Sequence, residues 1–401
     1  METFVCVFCQ KNYPIDPFHT FCPQCQEPLL YQGPQTDKKF HHDKDFPLEI
    51  MMDFLPLDQV NQNLSLGEGN TPLIRLKNVE KKFLLSSLYA KNETVNPTLS
   101  FKDRGTAIAV QKGVSLGIKR IGTVSTGNMA ISTAAYGARA GLKTFVLIKD
   151  GAHREILNLT GIYNPVMINV TGDYGELYRR SISLGRENDI YFTNSMDPFR
   201  IEGYKVTAFE IFFQLNQKAP DYIFVPVSSG GHMIGLMKAF DELKQQGFIE
   251  KYPHFVGVQA EGCSPITKAF REKMPKVERI ERAETVAKAI SNPAPPGGNL
   301  LLRLIRRAKG TIINAPEDKI IEVQRILAEI EGIFVQPASA TALVGLLELT
   351  KNGSINSGAK IVLILTGSGM KASGITGQSD KHVLQSSIAD LTTVIKLNKS
   401  D

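Results

Sequence analysis

The sequence predicts an α/β protein with two parallel-sheet domains and a small cysteine-rich ribbon at its beginning. From residue 87 onward, short apolar runs alternate with helical patterns, which is the βαβ rhythm of parallel sheets. The 401 residues are more than one typical core accommodates, so we expect more than one domain. Four of the five cysteines lie in the first 25 residues, which sets that segment apart from the rest.

Composition argues against several classes of protein. With 42% hydrophobic and 21% charged residues, the chain is typical of globular proteins. No apolar run reaches the roughly 18 residues that a membrane span needs, and the first residues lack the pattern of a secretory signal. The net charge of +6 is modest and its lysines and arginines are scattered, which fits a small anionic substrate better than nucleic acid. We therefore expect a cytoplasmic protein that binds neither nucleic acid nor membrane.

The cysteine spacing predicts a zinc site. Two C-x-x-C pairs can each hold one side of a metal ion, and together they form a tetrahedral thiolate site. The alternative, two disulfides, is disfavoured in an intracellular protein. We expect a structural zinc ribbon over residues 1–28, followed by a polar linker over 29–65. The expected ligands are Cys6, Cys9, Cys22 and Cys25.

The main body alternates predicted strands and helices. Short apolar runs between turn residues indicate strands, and longer amphipathic or alanine-rich runs indicate helices. Up to residue 193, strands are predicted at 87–91, 120–125, 143–148, 166–170 and 190–193, and helices at 101–116, 129–140 and 174–187. Beyond it, strands are predicted at 222–227, 255–260 and 360–365, and helices at 199–217, 233–246, 300–308, 318–330 and 338–351.

We expect these elements to form a larger domain from residues 66–106 and 203–401, with a smaller domain, 107–202, inserted between its two parts. In parallel α/β sheets, ligands bind where the loops at the carboxyl ends of the strands meet, often at a domain junction. The cleft between the two domains is therefore the expected site.

A lysine stands at the start of the first of these helices. Residues 96–105 read NPTLSFKDRG, and Lys102 follows a loop that contains Pro97 and Ser100. An amine at a helix N-terminus lies at the positive end of the helix dipole, which favours its neutral, nucleophilic form. Such an amine can form an imine with an aldehyde. The alternative is an ordinary surface lysine next to Asp103.

Three further loops follow predicted strands and are rich in glycine and hydroxyl groups. Residues 125–128 read STGN and open a helix whose free N–H groups can bind a carboxylate. Residues 228–232 read SSGGH, and a glycine-rich turn before a helix is an anion nest. Residues 365–369 read LTGSG. Taken singly, these loops are also explained by a helix cap or by ordinary glycine turns.

The four loops, in this order, resemble the cofactor site of the threonine synthase family. That family belongs to the fold-type II pyridoxal phosphate (PLP) enzymes, which have a tryptophan synthase β-like fold. Residues 67–76 (GEGNTPLIRL), 194–203 (NSMDPFRIEG) and 334–339 (FVQPAS) are also similar to the family, and some members carry an N-terminal ribbon. The resemblance implies a PLP-dependent lyase, expected to be a homodimer, that converts O-phosphohomoserine and water to threonine and phosphate.

The resemblance also implies a role for each loop. Lys102 forms the imine with PLP, Asn128 hydrogen-bonds the phenolic oxygen of the cofactor, and Thr366 hydrogen-bonds its pyridine nitrogen. The residues implied for the cofactor phosphate are Ser228, Ser229, Gly230, Gly231 and His232. The residues implied for the amino-acid phosphate substrate are Ser125, Thr126, Gly127, Ser195 and Arg200.

The positions that depart from the family pattern are Leu99 for glycine, Gln336 for glutamate, Met129 for threonine and Ser229 for asparagine. The last two are phosphate contacts in the family, and methionine cannot donate a hydrogen bond. They leave open a β-replacement or elimination enzyme acting on O-phosphoserine, similar to cysteate synthase or diaminopropionate synthase. A third interpretation is a zinc-ribbon interaction module on a catalytically inactive PLP fold. The intact Lys102, Asn128 and Thr366 argue against it.

Overall fold

The computed structural model describes residues 2–34, 36–150 and 154–371. Its strands are β1 (Thr3–Cys6), β2 (Asn12–Tyr13), β3 (Leu29–Gln32), β4 (Leu73–Arg75), β5 (Leu88–Asn92), β6 (Arg120–Val124), β7 (Lys143–Lys149), β8 (Val166–Val170), β9 (Tyr191–Phe192), β10 (Tyr222–Pro226), β11 (His254–Ala260), β12 (Thr311–Ala315) and β13 (Ile361–Leu365). Its α-helices are α1 (Pro47–Ile50), α2 (Lys77–Phe83), α3 (Lys102–Ser115), α4 (Asn128–Arg139), α5 (Arg154–Gly161), α6 (Tyr174–Asn188), α7 (Pro198–Gln214), α8 (Gly231–Gln245), α9 (Pro265–Arg271), α10 (Gly298–Arg307), α11 (Glu317–Glu331) and α12 (Pro337–Lys351). Residues 372–401, which we expected to complete the larger domain, lie outside the described residues.

In the described part of the chain, the strands form three sheets. A small antiparallel sheet has the order β2-β1-β3, and a four-stranded parallel sheet has the order β8-β7-β6-β9. The largest sheet has the order β12-β11-β10-β13-β5-β4, and within it β4 runs antiparallel to β5. The four-stranded sheet falls between β5 and β10 in sequence, so it is inserted into the larger unit. The predicted α/β class with two parallel sheets is confirmed.

Helices cover both faces of the six-stranded sheet because its central strands are apolar on both faces. In β10, Ile223 and Val225 face the cluster formed with α7 and α8, whereas Phe224 faces the cluster formed with α12. All three side chains are fully buried. The first polar side chains after these buried residues therefore lie in the loop that follows the strand and leads into α8.

The ribbon is larger than the sequence indicated. Strand β3 lies beyond the expected boundary at residue 28 and pairs with β1, with Phe4 opposite Tyr31. The segment expected to be a polar linker also contributes to the core. Phe40 is buried, and its ring lies 4.6 Å from that of Phe54 and 5.7 Å from that of Phe209 in α7. The prediction of a linker was wrong because these apolar residues are irregularly spaced and show no helical or strand period.

The ribbon packs against elements of both parallel-sheet units. Its contacts include Phe4 with Phe199 of α7 (ring centroids 5.3 Å apart), Asp16 with Arg186 of α6 (2.8 Å) and Glu27 with Asn299 of α10 (2.7 Å). Helix α6 precedes β9 of the four-stranded sheet, and α10 precedes β12 of the six-stranded sheet. The ribbon therefore bridges the two units rather than extending into solvent.

Helices α3 and α7 cross with their backbones almost in contact. The residues at the crossing are Gly105 and Gly203. A Cβ on Gly203 would lie 2.3 Å from the carbonyl oxygen of Arg104, and a Cβ on Gly105 would lie 2.5 Å from Cγ of Arg200. A side chain at Gly203 would therefore push the helices apart. This close approach brings Lys102, at the start of α3, next to Arg200 in the first turn of α7.

A buried charge network lies along the same crossing. Arg104 donates to Glu93 (Nε to Oε2, 2.5 Å) and to Glu210 of α7 (Nη1 to Oε1, 2.7 Å). Lys91 of β5 donates to the second oxygen of Glu210 (2.6 Å). All four side chains are at most 6% exposed. Burial alone would raise the pKa of Glu210, but Arg104 and Lys91 lower it to about 2.

Replacing Arg104 with methionine removes the cation while two buried carboxylates remain. We expect the free energy of unfolding to fall by about 3–5 kcal/mol, because a buried charge without its partner is strongly destabilising. Urea unfolding followed by circular dichroism measures this change. Arg180→Met is the matched control, because Arg180 pairs with Glu187 at the surface and both are more than half exposed. It should cost less than about 1 kcal/mol. Equal losses for the two variants would contradict the role of the network.

Candidate active site

Lys102 is the first residue of α3, and its side chain lies among aromatic rings. Its Nζ is 4.3 Å from the ring centroid of Phe101 and 6.0 Å from that of Tyr204. Burial, followed by the positive charge of Arg200, lowers the pKa of Lys102 to about 7. The direction agrees with the one predicted from the helix dipole, although the main causes are burial and Arg200. A substantial fraction of the amine is therefore neutral near neutral pH.

Arg200 is buried against the start of α3, and all five of its N–H groups have partners within the protein. Nε donates to the Thr193 carbonyl (2.9 Å), Nη1 to the Lys102 carbonyl (3.3 Å) and the Tyr204 hydroxyl (3.5 Å), and Nη2 to the hydroxyls of Thr133 (3.3 Å) and Thr193 (3.4 Å). Every one of these side-chain partners is a neutral oxygen, and the acidic group that interacts electrostatically with Arg200 is the buried carboxyl of Asp197, which accepts from the Arg200 backbone N–H (2.8 Å). The expected contact of Arg200 with a substrate phosphate stays a prediction.

Leu99 shows how the lysine loop accommodates the replacement of a glycine. Its φ is 59°, in the left-handed region that glycine adopts freely and other residues adopt at a cost of roughly 1–2 kcal/mol. Its N–H donates to the Asn96 carbonyl (2.7 Å), and its carbonyl accepts from the Ser368 N–H (3.0 Å). These bonds hold the turn and join the lysine loop to the loop after β13.

The loop after β6 opens helix α4. Ser125 Oγ accepts from the Gly127 N–H (3.2 Å), and Thr126 is exposed. Asn128 is the first residue of α4, and its carboxamide pairs with that of Gln336. Asn128 Nδ2 donates to Gln336 Oε1 (2.8 Å), and Gln336 Nε2 donates to Asn128 Oδ1 (3.4 Å). Asn128 is thus held by a residue of the larger unit, although it belongs to the inserted one.

The loop after β10 is shaped by two glycines. Gly230 has a φ of 96°, which residues with a side chain rarely adopt, and Gly231 begins α8. A Cβ on Gly231 would lie 2.6 Å from the carbonyl oxygen of Ser195, so the Ser195 loop packs directly on this turn. Ser229 Oγ accepts from Asn292 Nδ2 (3.1 Å). The turn therefore leads directly into the N-terminus of α8, and the O–H of Ser229 can still donate to an anion. The anion nest stays a prediction.

His232 lies in the first turn of α8 and stacks on the residue before the lysine. Its ring centroid is 3.9 Å from that of Phe101, with 12° between the ring planes. Within the described residues, neither ring nitrogen has a hydrogen-bond partner, and both are buried. Burial, and then the charges of Lys102 and Arg104, lower the pKa of His232 well below its usual value, so the ring is neutral. Ser228, earlier in the same loop, is partly exposed.

Thr366 follows β13 and lies against the lysine loop. Its carbonyl accepts from the Phe101 N–H (3.0 Å), and its Oγ1 is 2.8 Å from Ser339 Oγ in α12. Ser339 Oγ also accepts from the Gly367 N–H (2.9 Å). Ser339 therefore fixes the hydroxyl that was predicted to face a pyridine nitrogen.

Several contacts to the predicted residues come from side chains to which the sequence assigned no role. These pairs are Gln336 with Asn128, Ser339 with Thr366, Asn292 with Ser229, and Tyr178 with Ser195 (Oγ to hydroxyl, 3.4 Å). The string FVQPAS at residues 334–339 looked similar to the family and gave a signal for the first two. Asn292 and Tyr178 had no sequence signal.

The four predicted loops meet at the start of α3. The lysine loop contacts the β10 loop through Phe101 and His232, and it contacts the β13 loop through Phe101 and Thr366. Asn128 reaches the β13 loop at Gly367, where a Cβ would lie 3.4 Å from its Nδ2. These groups fit PLP: an amine for its aldehyde, a glycine turn at a helix N-terminus for its phosphate, and a neutral hydroxyl for its ring nitrogen. The unpartnered His232 nitrogens add buried polar atoms beside that turn.

The four N-terminal cysteines form a separate cluster. Their sulfur atoms all lie within 4.8 Å of one another, and those of Cys9 and Cys22 are 3.7 Å apart. Thiolates bound to zinc at about 2.3 Å in a tetrahedron lie roughly 3.8 Å from one another. All four cysteines are free rather than joined in disulfides. The four sulfur atoms are therefore close enough to one another to share one metal ion.

A family model described as "Pyridoxal-phosphate dependent enzyme" matches residues 64–367. The matched range covers well over half of the chain and includes the first three loops and residues 365–367 of the fourth. The chain belongs to this family. It is a PLP-dependent enzyme, and its chemistry is that of a lyase.

Among the PLP enzymes, the chain is similar to several threonine synthases. It is 37% identical to threonine synthase from Methanocaldococcus jannaschii over 91% of this chain and 92% of that protein. It is 36% identical to threonine synthase from a Bacillus species over 85% of this chain and 94% of that protein. These similarities place the chain in the threonine synthase family of PLP enzymes.

Solved structures of other PLP enzymes share the fold. Maize serine racemase superposes with a TM-score of 0.64 at 17% identity, covering 82% of this chain and 92% of the racemase. At 17% identity, this similarity shows a shared fold and nothing about activity. It agrees with the fold-type II arrangement of two parallel-sheet units.

The pKa of Lys102 predicts how apoenzyme captures PLP at different pH values. Only the neutral amine attacks an aldehyde, so the capture rate should rise with pH through about 7 and level off above it. Replacing Arg200 with glutamine removes a positive charge that lowers this pKa, and the midpoint should move to higher pH. Stopped-flow absorbance after mixing apoenzyme with PLP measures the midpoint.

Two controls separate this effect from damage to the fold. Arg200→Lys keeps the charge and should keep the midpoint closer to that of the parent enzyme. Arg180→Gln removes an exposed charge, 57% accessible, and should leave the midpoint unchanged. A glutamine variant at position 200 that captures PLP with the parental midpoint would contradict the role given to Arg200.

Proposed function

We propose that this PLP enzyme is a threonine synthase that converts O-phosphohomoserine and water to threonine and phosphate. The observation that carries the proposal is the similarity to a threonine synthase over 91% of the chain at 37% identity. The geometry supports it, because the loops that resemble that family converge on one lysine with a lowered pKa.

Each loop has a proposed part in the reaction. When bound, PLP supplies an aldehyde that condenses with amines and a ring that accepts electrons from the bond being broken. Lys102 holds the cofactor and, once free, accepts and returns protons through Nζ, for which a pKa of about 7 is well suited. Thr366 contacts the ring nitrogen without a charge. Backbone N–H groups at Gly230 and Gly231 bind the cofactor phosphate.

The substrate is proposed to lie between the loop that opens α4 and the loop before α7. Ser125, Thr126 and Gly127 hold its carboxylate at the N-terminus of α4, where free N–H groups and the helix dipole favour an anion. Ser195 contributes a hydroxyl to the substrate phosphate. Arg200 contributes its positive charge, and a direct hydrogen bond to the phosphate requires one of its present partners to be released.

The second candidate function is that of an enzyme whose substrate is O-phosphoserine. Met129 favours it. This residue stands at a position where the family usually has a phosphate-binding threonine, and its side chain is buried and cannot donate a hydrogen bond. The site therefore has one donor fewer for the phosphate of O-phosphohomoserine, whereas Ser229 Oγ, which accepts from Asn292 Nδ2, keeps its O–H for an anion. The corresponding reactions are β-replacement or elimination of the cysteate-synthase-like or diaminopropionate-synthase-like kind.

Purified enzyme offered each phosphorylated amino acid separates the two candidates. A threonine synthase releases phosphate from O-phosphohomoserine and forms threonine, and we expect kcat/KM for this substrate to exceed that for O-phosphoserine by at least about 100-fold, or roughly 2.7 kcal/mol. Phosphate release by a coupled assay and amino-acid analysis measure both products. Lys102→Ala should abolish turnover of either substrate. Phosphate release from O-phosphoserine alone would overturn the proposal in favour of the second candidate.

We also propose that the four cysteines hold a structural zinc ion, supported by the 3.7 Å separation of the Cys9 and Cys22 sulfurs.

The division into a larger domain, 66–106 and 203–371, around a smaller one, 107–202, is proposed from the two sheets. In the described residues, no helix is long and apolar enough to cross a membrane. The cytoplasmic location and the homodimer stay predictions, and light scattering after size exclusion tests the latter.

Removing the metal should loosen the ribbon. Cys9→Ser takes away one of four ligands, so we expect bound zinc to fall from about one ion per chain and the melting temperature to drop by about 5 °C or more. Elemental analysis and differential scanning calorimetry measure the two quantities. Cys263→Ala is the control, because Cys263 is a buried cysteine outside the cluster. A Cys9→Ser variant with full zinc content would contradict the proposed site.

A further inference from the structure

Gln336 and Asn128 form a reciprocal amide pair within the candidate site. Asn128 Nδ2 donates to Gln336 Oε1 at 2.8 Å, and Gln336 Nε2 donates to Asn128 Oδ1 at 3.4 Å. Asn128 begins α4 in the four-stranded unit, and Gln336 immediately precedes α12 in the six-stranded unit. The pair therefore connects the unit of the four-stranded sheet to the unit of the six-stranded sheet.

The backbone of Gln336 is held on both sides. Its N–H donates to the Gly367 carbonyl (2.9 Å), and its carbonyl accepts from the Ser339 N–H (2.8 Å). Pro337 follows it as the first residue of α12, and Gln336 itself is 8% exposed. A buried residue anchored in this way presents its side-chain oxygen at a defined position.

Asn128 depends on this partner for its orientation. Within the described residues, both hydrogen bonds of its carboxamide go to Gln336. Rotation about the last bond of an asparagine side chain is broad and roughly two-fold, so an unheld amide readily exchanges its oxygen and nitrogen. With Gln336 present, one N–H of Nδ2 is used and the other remains for a further acceptor.

The loop after β13 closes against the amide pair. A Cβ on Gly367 would lie 2.9 Å from Gln336 Oε1 and 3.4 Å from Asn128 Nδ2, so a side chain there would press on the pair. The same first turn of α12 carries Ser339, which binds the hydroxyl of Thr366 at 2.8 Å. A single helical turn thus fixes both groups that are proposed to contact the cofactor ring.

We propose that Gln336 is a positioning residue that orients Asn128 so that the free N–H of Nδ2 donates to the phenolic oxygen of PLP. The inference rests on the proposed cofactor contact of Asn128. Gln336 achieves this without adding a charge, because it pairs as a neutral amide. A carboxylate in its place would keep the acceptor for Asn128 Nδ2 but lose the donor to Asn128 Oδ1, and it would set a negative charge close to the electron-rich phenolic oxygen.

A double-mutant cycle tests the coupling. The variants are Gln336→Met, Asn128→Ala and the combination, and the readouts are the dissociation constant of PLP for apoenzyme and the visible absorption band of bound PLP. We expect Gln336→Met to weaken PLP binding about 10-fold and Asn128→Ala at least as much. The combination should match Asn128→Ala within about 2-fold, because Gln336 acts through Asn128. Losses that multiply across the cycle would overturn the proposal.

Gln324→Met is the matched control for a merely structural effect. Gln324 is 1% exposed and its Nε2 donates to the carbonyl of Val335, the residue before Gln336. The control should lower thermal stability while PLP affinity and the absorption band keep their parental values. If it weakened PLP binding as much as Gln336→Met, the effect at Gln336 would be structural and the proposal would fail.

Gln336→Glu provides the conservative rescue. It keeps the acceptor for Asn128, so PLP affinity should stay within about 3-fold of the parent. Its added negative charge favours protonation of the bound cofactor, so the pH midpoint of the visible band should move upward. An unchanged midpoint would overturn the placement of Gln336 beside the phenolic oxygen.

These measurements use PLP alone, so they do not depend on which substrate the enzyme takes. An enzyme that fails with O-phosphohomoserine but shows the expected cycle would refute the proposed function and support the inference. An Asn128→Ala variant with parental PLP affinity and absorption would remove the contact on which the inference rests.

Discussion

The close crossing of α3 and α7 is the contact on which the rest of the site depends. The helices approach this closely only because Gly105 and Gly203 carry no side chains. Lys102, at the start of one helix, thereby comes next to Arg200 at the start of the other. Further along the same crossing, Arg104 meets two buried glutamates. One steric constraint therefore sets both the electrostatic environment of the lysine and the stability of the helix that carries it.

Two buried arginines on this crossing behave differently because their partners differ. Arg104 is bound by carboxylates, which compensate its charge and raise its pKa even though burial opposes this. The guanidinium of Arg200 is bound by neutral oxygens, and its charge acts on the nearby amine. The first arrangement stabilises the fold, and the second adds to burial in lowering the pKa of Lys102. This difference is not visible in sequence, where both residues are arginines near the start of a predicted helix.

The sequence predicted the parts of the molecule whose signals are local. The parallel sheets follow from the alternation of apolar strands and helices, and the site loops follow from glycines and hydroxyls at strand ends. The third ribbon strand, β4 and β12 were missed, and the segment around Phe40 was taken for a linker, because their apolar residues lack a clear period. Contacts such as Asn292 with Ser229, 63 residues apart, carry no local signal at all. The orientation of Arg200 likewise depends on Gly203 and on the helix that it faces.

The seating of the ribbon affects how this chain could be shortened or recombined. Strand β3 pairs with β1, and Phe40, a few residues further along the chain, packs against Phe209 of α7, so the ribbon and the segment that follows it both belong to the packed body of the protein. Deleting it would uncover the ring of Phe199 and strip Arg186 and Asn299 of acidic partners. The bare apolar surface would favour self-association. A transplanted segment could substitute only if it supplied aromatic and acidic groups at the same places.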